Sequence, residues 1–297
     1  MGAIWLLIQN LGQGFYDFFY ALFHPGLWLD WSEKTSIINF IYYGASHEFL
    51  FVIFDLVIVL TIVGVFFRSF LWRIVQGMEF VSNTVGRFFA WASVLMVLQQ
   101  IIIVFLQRIF RVSEISVSPF GYAFTRDLSW YGEELKLYNA MIVTLCVAYT
   151  FIQGGHVRVD LFYAGMRHRS KKIVDMFGSL FFILPLMSII WMYSWFFLWR
   201  SLVVPKPSAS HSLEQLLPKA RALRWNVETI GFSPNGFDAY FLFKILMVAF
   251  AGFMFFQGIT YFWRSLLEFI EGEDSVDKYL DKDVLGDETA ETAAAIH

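Results

Sequence analysis

The sequence predicts an all-α polytopic membrane protein, with five transmembrane helices and an N-terminal amphipathic helix lying in the membrane interface. Two observations carry this. The 297 residues are 58% hydrophobic and only 16% charged, with a mean hydropathy of +0.57, whereas a soluble domain is about a quarter charged. The apolar residues also cluster into stretches long enough for the roughly 20 helical residues that cross a bilayer core. These run Phe49–Phe67, Phe88–Leu106, Leu135–Gln153, Phe177–Val204 and Phe237–Trp263, here segments A to E. A β-barrel would instead show alternating segments of roughly ten residues. The single cysteine, Cys146, lies in segment C and leaves no internal disulfide to form.

From the N-terminus, MGAIWLLIQN lacks the basic region of a cleavable signal peptide, and Leu6 breaks the Gly2 myristoylation pattern. Residues 4–23 place Ile4, Ile8, Leu11, Phe15, Phe18 and Leu22 at helical spacing, with Gln9, Gln13 and Asp17 off that stripe. Such a helix lies in an interface or packs on the protein's own helices. Asp30 followed by Glu33 resembles a capping box for a short helix to about Tyr43. Pro185 removes a backbone donor inside segment D and predicts a kink there. From Glu271 onward nine Asp/Glu face two Lys, so the rest of the chain carries about +4 despite a net charge of -3. That tail reads as disordered and solvated. The expected divisions are 1–48 periplasmic and interfacial, 49–87 an extra span with its cytoplasmic loop, 88–270 a four-helix membrane domain, and 271–297 an acidic cytoplasmic tail.

Orientation follows from Lys and Arg in the loops. The A–B loop has Arg68, Arg73 and Arg87; the C–D loop has Arg158, Arg167, Arg169, Lys171 and Lys172. The first 48 residues have only Lys34. The N-terminus is therefore expected outside and the tail inside, although Arg200, Lys206, Lys219, Arg221 and Arg224 of the D–E loop count against it. Gly154 and Gly155 are expected to end segment C, and His156 and Asp160 stand at (i, i+4), where the two can meet.

The chemistry of the loops and spans points away from an enzyme. The histidines are His24, His47, His156, His168, His211 and His297, none at mid-span, where a haem anchor would need them. His156 with Asp160 is half a metal site at most. No Walker A or dinucleotide fingerprint is present, so no cofactor or nucleic-acid partner is expected. The informative residues are polar ones inside the spans, where an ionisable group costs roughly 2.5–3.5 kcal/mol. Asp55 in A and Lys244 in E both come about 9–11 Å below the outer boundary at the helical rise, depth-matched and able to pair. Gln99 and Gln100 in B, and Asn139 in C, are expected to hydrogen-bond between helices. Glu133, Glu134 and Lys136 sit at the outer mouth of C. Neither internal repeats nor Gly/Pro-broken helices mark a substrate pathway, which points to an accessory subunit.

From about Val94 to Arg264 the motifs resemble the small membrane (Q) subunit of tripartite ATP-independent periplasmic (TRAP) transporters. A span ends Gln107-Arg108-Ile109-Phe110; Pro119 and then Trp130-Tyr131-Gly132-Glu133-Glu134-Leu135 follow; a second span leads to His156-Val157-Arg158-Val159-Asp160-Leu161. The resemblance implies a subunit without catalytic residues in the bacterial inner membrane. It would pack against a large elevator-type membrane subunit driven by a sodium gradient and fed by a periplasmic binding protein, usually with an organic acid. The extended length is similar to forms of the 2-oxo-acid type. Segments B–E correspond to the usual four spans; segment A and the first 48 residues are additional. Glu133-Glu134 and the basic residues Lys206, Lys219, Arg221 and Arg224 are the expected docking patches for the binding protein. The alternatives from other classes are a membrane anchor of a redox enzyme and a self-sufficient small transporter.

Overall fold

The computed structural model describes residues 2–117, 124–154, 163, 165–204, 206–208, 210–219, 222–223, 240–276 and 278–281. Helices dominate them. In chain order they are α1 (Gly2–Phe23), α2 (Gly26–Leu29), α3 (Lys34–Gly44), α4 (His47–Phe66), α5 (Arg68–Arg108), α6 (Leu128–Leu145), α7 (Val147–Ile152), α8 (His168–Gly178), α9 (Leu184–Leu202), α10 (Leu213–Lys219) and α11 (Tyr240–Glu271). Strand β1 (Glu114–Val117) pairs antiparallel with β2 (Phe124–Asp127), and β3 (Val203–Val204) with β4 (Ala222–Leu223). Five helical stretches are long and apolar enough to cross a membrane: α4, α5, α6–α7, α8–α9 and α11. The fold class read from the sequence is therefore borne out.

Segment B is not a 19-residue span preceded by a loop. Only Phe67 separates α4 from α5, and α5 runs for 41 residues, about 61 Å at the helical rise and about twice a bilayer core. Its first half was hidden from a hydropathy reading because it is amphipathic. Leu71, Trp72, Val75, Glu79, Ser82, Asn83 and Gly86 form one buried stripe at spacings of three and four. That stripe packs on α11, where Leu71, Trp72 and Val75 join Leu184, Ile259, Trp263 and Leu267 in the largest core cluster. The second half of α5 runs antiparallel to α6–α7. Gly86 sits so close to Tyr149 that a Cβ there would strike its Cβ, and the Gly86 carbonyl accepts from Cys146 Sγ at 3.4 Å.

The chain passes from α3 to α4 close to where the sequence separates a short helix ending at about Tyr43 from a span starting at Phe49; the depth at which the two part is new. Helix α3 runs along the C-terminal half of α9: Ile38 packs with Val203, and Phe40 and Ile41 with Trp195 and Trp199. The chain breaks at Ala45–Ser46 beside the midpoint of α9, and α4 continues onward. Trp195 Nε1 donates to the Ile41 carbonyl at 3.0 Å and Trp191 Nε1 to the Gly44 carbonyl at 2.9 Å. These bonds satisfy two of the four carbonyls that a helix end leaves without partners. Ser46 Oγ accepts from the Phe49 amide and caps the new helix. Gly44 ends α3 at this break, and side chains about 150 residues downstream satisfy the carbonyls it exposes.

Smaller expectations resolve as follows. Helix α3 exists, but Glu33 is its N-cap without a side-chain bond, and Asp30 instead holds the Ser32 amide in a turn. Helix α1 packs along α4 through Gly14, and leaves Ile8, Phe15, Tyr16, Phe19 and Leu22 exposed. The irregularity expected at Pro185 falls one turn earlier, as a π-helical turn at Ser179–Ile183. Proline offers no amide to the carbonyl four residues back, so the preceding turn widens. Gly154, at φ +71°, terminates α7 in a conformation that favours glycine. The tail is not wholly solvated: up to Asp281 its described residues lie against the bundle.

Candidate functional site

Buried charge concentrates at one end of the bundle, where α5, α8 and α11 meet the start of the tail. Arg264 of α11 and Glu79 of α5 form a two-pronged pair, Nε to Oε1 at 2.7 Å and Nη2 to Oε2 at 2.5 Å. Both residues are more than nine-tenths buried. The remaining guanidinium nitrogen, Nη1, donates to the Lys278 carbonyl at 3.1 Å, and the guanidinium lies 5.3 Å from the Trp72 ring centre. One turn along α11, Glu268 is 3.7 Å from Arg264 Nη1 and pairs with Lys172 of α8 through its other oxygen. Lys172 also faces Asp175, which accepts from the Tyr163 hydroxyl at 2.8 Å. His168 bonds the Glu268 carbonyl. Three carboxylates thus share two cations, every one held by a different helix from its partner or by the adjacent turn.

The tail closes over this end. Trp72 Nε1 donates to Glu271 at 3.0 Å, and Lys278 approaches the same carboxylate at 3.7 Å. Asp281 is gripped harder. Arg87 donates to both of its carboxylate oxygens at 3.0 Å, Asn83 to one of them at 3.0 Å, and Gln153 to its carbonyl at 2.8 Å. Arg87, then Asn83, hold this carboxyl below the usual range. The tail therefore bridges α5 and α7. The arrangement fixes helices to one another.

At the opposite end the acidic pair joins helices. Tyr240 donates to Glu133 at 2.6 Å, tying α11 to α6, and Lys136 adds an exposed contact at 2.6 Å. Gln99 donates to Glu134 at 2.9 Å, tying α5 to α6, and Tyr138 adds a bond at 3.3 Å. Gln100 and Asn139 face outward, so neither joins helices within this chain.

Asp55 and Lys244 do not pair. Phe54 meets Phe255 edge-on at 6.0 Å, and Phe255 lies eleven residues beyond Lys244, about 16 Å along α11. The depth match failed because α4 starts beside the middle of α9 and not at its C-terminal end. The Lys244 ammonium instead lies 4.1 Å from the Phe197 ring centre. Asp55 is buried against Gly14 of α1, and among the described residues neither of its oxygens accepts a hydrogen bond. His156, Arg158, Asp160, Arg221 and Arg224 lie outside the described residues, as does the side chain of Lys219; Lys206 is exposed.

The sequence reading missed Glu79, Lys172, Asp175, Arg264 and Glu268. Glu79 had been assigned to a loop, and Lys172 counted only as a topology signal. The signal available was the position of Glu79 within the apolar stripe of Leu71 to Gly86, and the (i, i+4) spacing of Arg264 and Glu268.

No curated protein and no solved structure shows a detectable match to this chain. A family model does: residues 120–216, about a third of the chain, match "Tripartite ATP-independent periplasmic transporters, DctQ component". The matched stretch begins ahead of β2 and ends inside α10, so it includes α6 to α9 and the acidic pair Glu133-Glu134. The resemblance carried by the Trp130–Leu135 and His156–Leu161 motifs is thereby borne out: over residues 120–216 the chain is similar to the small membrane subunit, the DctQ component, of TRAP transporters.

Proposed function

We propose that the chain is the static support of a sodium-coupled TRAP transporter for organic acids, and that it braces a large elevator-type membrane subunit while a periplasmic binding protein delivers substrate. The match over residues 120–216 carries this reading. The geometry supports it in two ways. Most of the buried charge gathers at the Arg264 end, where it is paired and covered by the tail, and a braced body is what a moving neighbour requires. Gln100, an amide on an exposed face within the apolar run of α5, suits contact with another membrane helix, since an unpaired amide in hydrocarbon is costly. On this reading the N-terminus is periplasmic and the tail cytoplasmic, and the exposed Lys206 belongs to a docking patch with Lys219, Arg221 and Arg224.

The test is reconstitution. Proteoliposomes with the large subunit, this chain and the binding protein should accumulate substrate under an imposed sodium gradient. Omitting this chain should abolish uptake, and this chain alone should give none. Uptake by the chain alone, or full uptake in its absence, overturns the proposal.

A further inference from the structure

Helix α4 stands off from the bundle and, with α5, α9 and α11, borders a half-open cavity of about 470 Å3. Its walls are apolar throughout: Ile53, Leu56 and Leu60 of α4 face Met78, Phe255 and Ile259. The gap is propped open at both ends. Near one end Trp191 reaches the Gly44 carbonyl at 2.9 Å, and near the other Trp263 reaches Thr61 Oγ1 at 2.8 Å. Both indoles line the cavity. Gly252 keeps it clear of further bulk, because a Cβ there would lie 3.1 Å from the Trp191 ring. Two hydrogen-bonded struts with a void between them resist the collapse that would otherwise recover lost dispersion contacts.

The dimensions and lining select the occupant. Water needs polar partners, and an apolar cavity gives it none. The cavity follows α4 from Phe49 to Leu60, about 16 Å at the helical rise and about half of a bilayer's hydrocarbon thickness. A helix of about 10–12 Å diameter over that length fills roughly 1,300–1,800 Å3, more than this space holds. An extended alkyl chain fits. Arg68 and Arg73 lie at the Leu60–Ile74 end, where α4 passes into α5; both are exposed, and among the described residues neither side chain has an ion pair or hydrogen bond. Among the described residues the cavity's other end has no Lys or Arg of α4 beside it; His47 there pairs with Glu48 at 3.4 Å.

We propose that this cavity is a phospholipid site, with one acyl chain between the Trp191 and Trp263 struts and an anionic headgroup at Arg68 and Arg73. The lipid completes the packing of α4 and ties the additional N-terminal span to the DctQ-type helices. The inference stands independently of the transported substrate.

Retained lipid is the readout. The full chain is purified in mild detergent, in whatever assembly it forms, washed extensively, and its phospholipid measured by mass spectrometry. Wild type should keep close to one phospholipid per chain, enriched in phosphatidylglycerol over phosphatidylethanolamine relative to the source membrane. Ile53→Trp and Leu56→Trp, which fill the cavity at separate points, should each lose that lipid several-fold. Arg68→Gln with Arg73→Gln changes only exposed side chains; it should keep a lipid but lose the anionic enrichment. A wild type without retained lipid overturns the proposal, as does retention unchanged by the double arginine variant in both amount and class. Cross-linking of a partner helix to a photoreactive residue at position 56, with no lipid retained, would assign the cavity to protein instead.

Discussion

Arg264 and Glu79 show how a charge becomes affordable where water is scarce. Each supplies the other with two hydrogen bonds, and Lys278 and Trp72 occupy what remains of the guanidinium. A buried pair of this kind gives little net stability over apolar residues of similar size, yet removing one member strands the other at a cost of about 3–5 kcal/mol. Glu79→Leu and Arg264→Met are therefore each expected to lower the detergent melting temperature strongly. The double variant Glu79→Leu with Arg264→Met should recover most of the loss, because Lys172 stays behind to neutralise Glu268. Losses that simply add would show that the two residues do not act as a unit. The reverse holds for Asp55 and Lys244. They are separated by about 16 Å of α11, so Asp55→Asn and Lys244→Met should be additive, while Gly14→Ala should loosen α1, since its methyl meets Asp55 and the Phe51–Val52 backbone. The sequence made Asp55 and Lys244 conspicuous because each stands in an apolar run. It concealed Glu79 because charge in an amphipathic stretch looks like a solvated loop until its partner on α11 is known.

Helices were legible to the extent that their causes were local. The five apolar runs, the Gly154 stop and the short helix after Asp30 were all read from neighbouring residues. The position of the α3–α4 break was legible too, but not what sustains it at that depth, because that cause is remote: two tryptophans of α9 satisfy the carbonyls that the break exposes. This makes the break testable as an element. Trp191→Phe and Trp195→Phe preserve most ring contact but leave the Gly44 or Ile41 carbonyl without its donor, and an unsatisfied buried polar group costs about 1–3 kcal/mol. Each variant should lower the melting temperature and raise labelling of a cysteine placed at Ser46. If both leave melting and labelling unchanged, the indoles pack against α3 without holding its end. The length of α5 was missed for a related reason. Hydropathy windows register only helices that are apolar all round, and the half of α5 that begins at Arg68 is apolar on the side facing α11 alone.

At the scale of the whole molecule, the tail and the helices form one closed end. Asp281 lies 194 residues from Arg87 in sequence, and the acidic composition around it had suggested a free chain. Composition decides whether a segment can build its own core; it says nothing of whether a core built elsewhere offers Arg87, Asn83 and Gln153 as a receptor. Because Arg87 and Asn83 lower the Asp281 carboxyl, the clasp favours the ionised form, and its sign under pH follows. Its contribution is fully present above the ordinary carboxylate value of 3.8, and is lost as the pH falls through the lowered native one. The tail should therefore stay clasped throughout the neutral and mildly acidic range. Asp281→Asn, which removes the charge at every pH, should release it at neutral pH. Limited proteolysis of the purified assembly reads the difference. In wild type at neutral pH the first cleavages should fall beyond Asp281, whereas the Asn variant, and Arg87→Gln with it, should be cut between Glu271 and Asp281. The same variants should leave the Arg264–Glu79 pair and the overall melting transition nearly unchanged, since the Asp281 contact is at the rim and half exposed. Equal cleavage in wild type and both variants would mean that Asp281 does not hold the tail, and that the end of the bundle is closed by Trp72, Glu271 and Lys278 alone.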